Sequence, residues 1–201
     1  ADTRHQLRRT IYSAGIPAAV RSSAWLALSG AAPHLFETLY SQLICEPHTP
    51  AESEIQRDIA RTFPGSPAFR DAHGDGQRKL YCLLKAYSLY DAEVGYCQGL
   101  GFVLGVLIMF LSEHEAFAAA ARLMDHYDMR ELYVHDMRGL HLRLWQLTRT
   151  VERELPRLAR HLSAHGISAA LYASSWFVSL FAYSYPLPLV FRIVDVALLD
   201  G

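Results

Sequence analysis

Apolar residues recur at three- and four-residue spacing along nearly the whole sequence. In "GQRKLYCLLKAYSLYD" (76–91), Leu80, Leu83, Leu84 and Tyr87 fall on one side of a helix. In "VRSSAWLALSG" (20–30), Val20, Ala24, Ala27 and Leu28 share a face, and Gly30 supplies a left-handed stop. "HDMRGLHLRLWQLTRTVERELPRL" (135–158) carries Met137, Leu140, Leu144, Leu147 and Val151 on one stripe. No run of strict alternation stands between these segments, so a sheet has no source. The expectation is an all-α fold.

Short breakers separate the helices: "CEPHTPAES" (45–53), "FPGSP" (63–67), "HGDG" (73–76) and "SYPLP" (184–188). Each is followed at once by another apolar-periodic segment, so they read as loops within one domain rather than linkers between several. With 51% hydrophobic residues over 201 positions, the chain can bury a substantial core, expected as two helical lobes. "FVLGVLIMFL" (102–111) is apolar for ten positions, against about 20 for a membrane-spanning helix. It reads as a core helix. Residues 166–191 lack charged side chains but hold five serines and are broken by Pro186 and Pro188, which also favours packed helices over a span.

Lys and Arg total 19 against 20 Asp and Glu, so no basic excess exists to attract a phosphate backbone, and nucleic acid is not an expected partner. The start, with Asp2, Arg4, Arg8 and Arg9 and no apolar run, reads as neither a signal peptide nor a transit peptide. Cys45, Cys82 and Cys97 are odd in number and form no CxxC pair, which fits reduced thiols in a cytosolic protein.

Familiar catalytic patterns are missing. "GYCQGLGFVLG" (95–105) approaches a dinucleotide fingerprint but lacks the preceding strand, so Gly101 and Gly105 are expected to admit a neighbouring helix at close range. His161 and His165 stand four apart without a third ligand, which points to solvated or capping roles and to no metal site. Neither GxSxG nor a P-loop occurs, so the chain has no hydrolase site of its own. Two polar groups remain in unusual places. "EIQRDIARTFPGSP" (54–67) reads as a short helix that buries Ile55 and Ile59 and leaves Asp58 and Arg61 paired on another face, with Arg61 in its last turn. In "EVGYCQGLG" (93–101), Gln98 sits between glycines at the start of an apolar helix, where its amide can aim outward and another molecule can approach.

Four blocks, "GIPAAVRSSAWLALSG", "IQRDIARTFP", "AYSLYDAEVGYCQG" and "SSWFVSLFAYSYPLPLVFRIVDVALLDG", resemble in order and spacing the TBC domain family of Rab GTPase-activating proteins, which is wholly helical. The likeness runs from about residue 14 to the end. It implies that Arg61 is an arginine finger entering the active site of a GTP-bound Rab, and that Gln98 is a glutamine finger positioning the attacking water. Asp58 is then expected to orient Arg61, Tyr96 to frame the glutamine, and Ile55 to complete the IxxDxxR block. Arg21 and Trp25 match a first block assigned to folding, with Arg21 a candidate for the groove. GTP and Mg²⁺ would be carried by the partner, no cofactor by this chain. The protein would be cytoplasmic, recruited to endomembranes through its partner in vesicle trafficking. Leu100 and Ala92 stand where many members have methionine and proline. Family domains also continue past the last block, so a single domain over 1–201 with an incomplete C-terminal lobe is expected, leaving apolar surface near Phe181 to Leu199 uncovered. The alternative class is a helical module that binds a Rab or another partner without catalysis; such a protein would more often lack a finger, and both are present here.

Overall fold

The computed structural model describes residues 2–200, with side chains from residue 5 onward, and its regular structure is helical throughout: among the described residues there is no strand. In chain order the helices are α1 (Asp2–Ala14), α2 (Ala18–Ser29), α3 (Pro33–Cys45), α4 (Glu52–Ile59), α5 (Asp75–Tyr90), α6 (Leu100–Ile108), α7 (Glu113–His126), a 3₁₀ turn (Met129–Leu132), α8 (Arg138–Glu154), α9 (Pro156–Ala164), α10 (Ala169–Val178) and α11 (Leu187–Asp200).

The organising element is α6. Its sequence is apolar on every side, so it can only be stable surrounded by protein, and Leu100, Gly101, Val103, Leu104, Gly105, Val106 and Leu107 are all buried. Helices α4, α5 and α7 pack against it, and α3 lies across α5 and α7. The α3, α5 and α7 contact is aromatic: Phe36, Tyr40, Tyr90 and Phe117 meet at ring separations of 5.4–6.2 Å, mostly edge to face, a geometry that adds to simple area burial. Helices α8, α9 and α10 form a thinner outer group joined through the 3₁₀ turn to α7, while α11 returns to pack on α1 and α2. One continuous hydrophobic cluster runs through both groups.

Three sequence expectations need correction. The stripe over 135–158 is interrupted: Leu155 has φ −131° and ψ 56°, outside the helical region, because the ring of Pro156 crowds the residue before it, and Pro156 then opens α9 as its first residue. On α2 the buried residues are Arg21, Trp25 and Ser29, one position round from the expected face, and Val20 is half exposed at 49%. An arginine is tolerated inside because Asp195 of α11, itself fully buried, accepts from Arg21 Nε at 3.2 Å, from Trp25 Nε1 at 2.8 Å and from the Ile16 amide at 3.0 Å. The Arg21 guanidinium is further flanked by the rings of Phe110 and Phe191 at 5.0 and 5.4 Å. Finally, α4 ends at Ile59, so Arg61 stands beyond the helix rather than in its last turn.

Among the described residues no helix is long and apolar enough to cross a membrane, the region 166–191 being divided between α10, a turn segment and the start of α11. Between Phe181 and Leu199 the exposed large apolar side chains are Tyr183, Tyr185 and Leu189, while Val190, Val194 and Leu198 face the core.

Candidate functional site

At the end of α4 the hydroxyl of Thr62 donates to the Asp58 carbonyl at 2.8 Å, and the Thr62 amide does not take up the α-helical bond to that carbonyl. The chain instead tightens into three-residue turns, with the Arg61 amide on Asp58 O at 3.2 Å and the Thr62 amide on Ile59 O at 3.0 Å. Phe63 follows with φ +52°, a left-handed conformation uncommon for a residue with a bulky side chain. Ile55 and Ile59 bury the other face of α4 in the core. The helix is thereby anchored from below, and Arg61 is presented on a tight turn at its end.

Gln98 is held in place by the residue after it. Gly99 adopts φ +111°, and a β-carbon there would lie 2.8 Å from the carbonyl oxygen of Val178, so this junction between the 91–99 loop and α6 requires glycine. That carbonyl is fixed in turn by the Tyr133 hydroxyl at 2.9 Å. Gln98 itself is exposed.

These two separately built segments meet. Glu54, Arg57, Asp58, Arg61, Tyr96 and Gln98 line one open cleft of about 270 Å³. Within it the Asp58 carboxylate bridges the arms: Oδ1 pairs with Arg61 Nη2 at 2.5 Å, and Oδ2 accepts from the Tyr96 hydroxyl at 2.6 Å. Burial, then the hydrogen bond to Asp58, pushes the Tyr96 phenol well above its ordinary value, so it remains a donor at any physiological pH. Cys97 is also raised by burial, with Glu54 and Asp58 adding to the effect, so it stays a thiol. The arginine side chain is 55% exposed while Asp58 is 13% exposed. One terminal nitrogen of Arg61 is therefore tethered, and the rest of its planar donor fork faces the opening. What the cleft offers chemically is a positioned cation and a free carboxamide directed at whatever enters.

Of the residues singled out in the sequence, Arg61, Asp58, Tyr96 and Gln98 are brought together, and Ile55 supports them from the core. Arg21 does not line the cleft; its guanidinium is buried against Asp195 and the Ile16 carbonyl. Glu54 and Arg57 were not singled out, although their spacing with Asp58 and Arg61 on one helical face could have flagged them. Gly101 and Gly105 do permit close approach: Gly101 faces Thr62 and Leu84 of helix α5, and Gly105 faces the Thr62–Phe63 turn. His161 and His165 lie at the end of α9 with ring centroids 4.5 Å apart. Among the described residues no group of three or more His, Cys, Asp or Glu side chains is arranged to hold a metal ion.

An all-helical domain thus brings an arginine and a glutamine from different segments to one open polar cleft. The family model described as the Rab-GTPase-TBC domain matches residues 18–201, and the chain belongs to that family. It is 40% identical over 193 residues to the Rab GTPase-activating protein tbc-11 of Caenorhabditis elegans, covering 93% of this chain and 20% of that protein. It is 39% identical over 187 residues to the human Ecotropic viral integration site 5 protein homolog, covering 93% and 23% respectively. The chain thus spans about a fifth of the length of these relatives. Among solved structures, the Chlamydomonas flagellar RabGAP TBC domain superposes with a TM-score of 0.80 at 26% identity, over 98% of this chain and 66% of that one.

Proposed function

We propose that this domain is a GTPase-activating protein for a Rab-family small GTPase in its GTP-bound state, and that Arg61 and Gln98 act in trans in the partner's nucleotide pocket. The observation that carries the reading is the convergence of both side chains, from segments 37 positions apart, on a single exposed cleft. The family membership and the relatives named as Rab GTPase-activating proteins support it.

Phosphoryl transfer gives a protein little covalent chemistry to perform, so charge placement and water positioning supply most of the catalysis. In this mechanism the partner carries GTP and Mg²⁺. Arg61 leaves or shares its contact with Asp58 and neutralises charge that develops on the γ-phosphoryl oxygens. Gln98, with both a carbonyl acceptor and an amide donor, holds the attacking water in line. Asp58 limits the directions open to the guanidinium, and the Tyr96 hydroxyl fixes the carboxylate. The magnitudes separate this from a surface ion pair: an exposed pair contributes about 0–1 kcal/mol, whereas an arginine finger is worth roughly 10³ to 10⁵ in rate, about 4 to 7 kcal/mol.

Single-turnover GTP hydrolysis across a panel of Rabs tests the reading. For the Rab that responds, Arg61→Ala is expected to remove about 10³-fold or more of the stimulation. Arg61→Lys should fare little better, because an ammonium lacks the planar fork. Gln98→Ala should lose about 10²-fold or more, and all three proteins should stay folded since both side chains are exposed. Wild-type rates from both Arg61→Ala and Gln98→Ala, or tight binding of Rab·GTP with no acceleration, would show a binding module instead.

A further inference from the structure

We propose that Thr62 and Phe63 are positioning residues for this chemistry: seated on the bare backbone of α6 at Gly101 and Gly105, they lock the turn that carries Arg61 to the helix that starts beside Gln98. The inference rests on the functional reading above and adds to it the part that fixes the distance between the two fingers.

Four observations converge on this seat. Phe63 occupies the left-handed region at φ +52° without being glycine, a conformation that persists only where its surroundings impose it. Its ring packs against two others, with centroids 5.2 Å from Phe102 edge to face and 5.8 Å from Phe69. A methyl group on Gly105 would stand 2.9 and 3.2 Å from two carbons of that ring, closer than packed carbon atoms allow, and in ordinary contact with Thr62 Cγ2 at 3.6 Å. At Gly101, a methyl group would lie 3.3 Å from Thr62 Oγ1 and 3.8 Å from Tyr96 Oη, so this one residue backs both the arginine arm and the glutamine arm.

The consequence is mechanical. Thr62 is buried at 2% exposure and hydrogen-bonded to Asp58 O, so a displaced Phe63 drags Thr62, the end of α4 and Arg61 with it. Helix α6 begins at Leu100, two residues after Gln98, and α6 is the most completely buried helix in the fold's centre. It therefore serves as a common mount. Neither Thr62 nor Phe63 is exposed, and neither lines the cleft, so their influence reaches a bound GTPase only through where Arg61 points. A misplacement of about 1 Å at a reacting centre can cost about 10²-fold in rate while leaving binding largely intact.

The test measures the maximal single-turnover rate and the half-saturating domain concentration with the Rab that wild type activates. Gly105→Ala should lower the maximal rate about 10- to 100-fold with little change in half-saturation, and its thermal unfolding should remain cooperative. Adding Phe63→Leu, which removes ring atoms from the path of the new methyl group, should make the double variant faster than Gly105→Ala alone. If Gly105→Ala does not fold, Phe63→Leu by itself is informative and should lower the maximal rate by about 3- to 10-fold at unchanged half-saturation. A folded Gly105→Ala protein as fast as wild type, a loss that Phe63→Leu fails to relieve, or full activity in Phe63→Leu would overturn the mount while Arg61→Ala remains inactive. If wild type activates no Rab, the functional reading itself fails, and the mount with it.

Discussion

Asp58 is the residue on which the site turns. Its two oxygens serve two masters, Arg61 and Tyr96, at 2.5 and 2.6 Å, and it is mostly enclosed, so it cannot exchange either partner for bulk water without cost. Asp58→Asn keeps the shape but removes the charge that restrains the guanidinium. It should reduce stimulated hydrolysis about 10-fold or more, with the loss falling on the maximal rate, measured by single-turnover assay. Tyr96→Phe deletes a single hydroxyl and should cost about 1 kcal/mol of transition-state stabilisation, several-fold in rate. Because burial and the Asp58 hydrogen bond raise the Tyr96 phenol far above its ordinary value, its proton stays in place over the whole working range. The rate profile from about pH 7 to about pH 9 should therefore carry no step from Tyr96. Arg61, with Asp58, and Gln98 stood in unusual places in the sequence, and Tyr96 was named through the family resemblance. Their mutual geometry was not legible, because hydrogen bonds between positions 58 and 96 leave no periodic trace.

Individual helices differ in how openly their sequences announce them. Helix α6 was legible because continuous apolarity over the ten positions 102–111, preceded by glycines, has few folded solutions. The ends of α4 and α8 were less so. Apolar spacing did not mark the stop of α4 at Ile59, and a proline at 156 split what looked like one stripe, a signal that reading by apolar spacing passed over. Helix α7 starts at a capping box, where Glu115 accepts from the Ser112 amide at 2.8 Å and from its hydroxyl at 2.7 Å. Ser112→Ala should destabilise the domain by about 1 kcal/mol in chemical denaturation. The hydrogen bonds from Ser112 hold the Glu115 carboxyl below its ordinary 4.5. A depressed folded-state pKa means this contribution is present above the unfolded value and is lost as pH falls through the folded one. The difference between wild type and Glu115→Gln should accordingly shrink as pH falls below the ordinary carboxylate value of 4.5.

Across the whole molecule, the contact that ties the ends of the chain together is the buried meeting of Arg21, Trp25 and Asp195, separated by 174 and 170 positions. It agrees with the assignment of Arg21 and Trp25 to folding and removes Arg21 from the groove, while the apolar spacing of α2 gave no sign that position 21 is buried. The available signal was Asp195 itself, an acid in the middle of the apolar helix α11, on the stripe that buries Val194 and Leu198. Asp195→Ala leaves a buried guanidinium without its counter-charge and should cost about 3 to 5 kcal/mol, read as a large fall in denaturation midpoint. Because Arg21 lies away from the cleft, whatever Asp195→Ala protein remains folded should retain its catalytic rate per folded molecule. The cleft belongs to the same scale: no single helix contains it, and α4 and the 91–99 loop acquire a joint function only when α6 sets them side by side. The most direct measurement is the affinity of the domain for a responsive Rab carrying GDP with aluminium fluoride, a mimic of the transferring phosphoryl group, against GDP alone. The account predicts at least about 100-fold tighter binding to the mimic, with that gain abolished in both Arg61→Ala and Gln98→Ala. Equal affinity for the two states, or a gain that survives both substitutions, would contradict it.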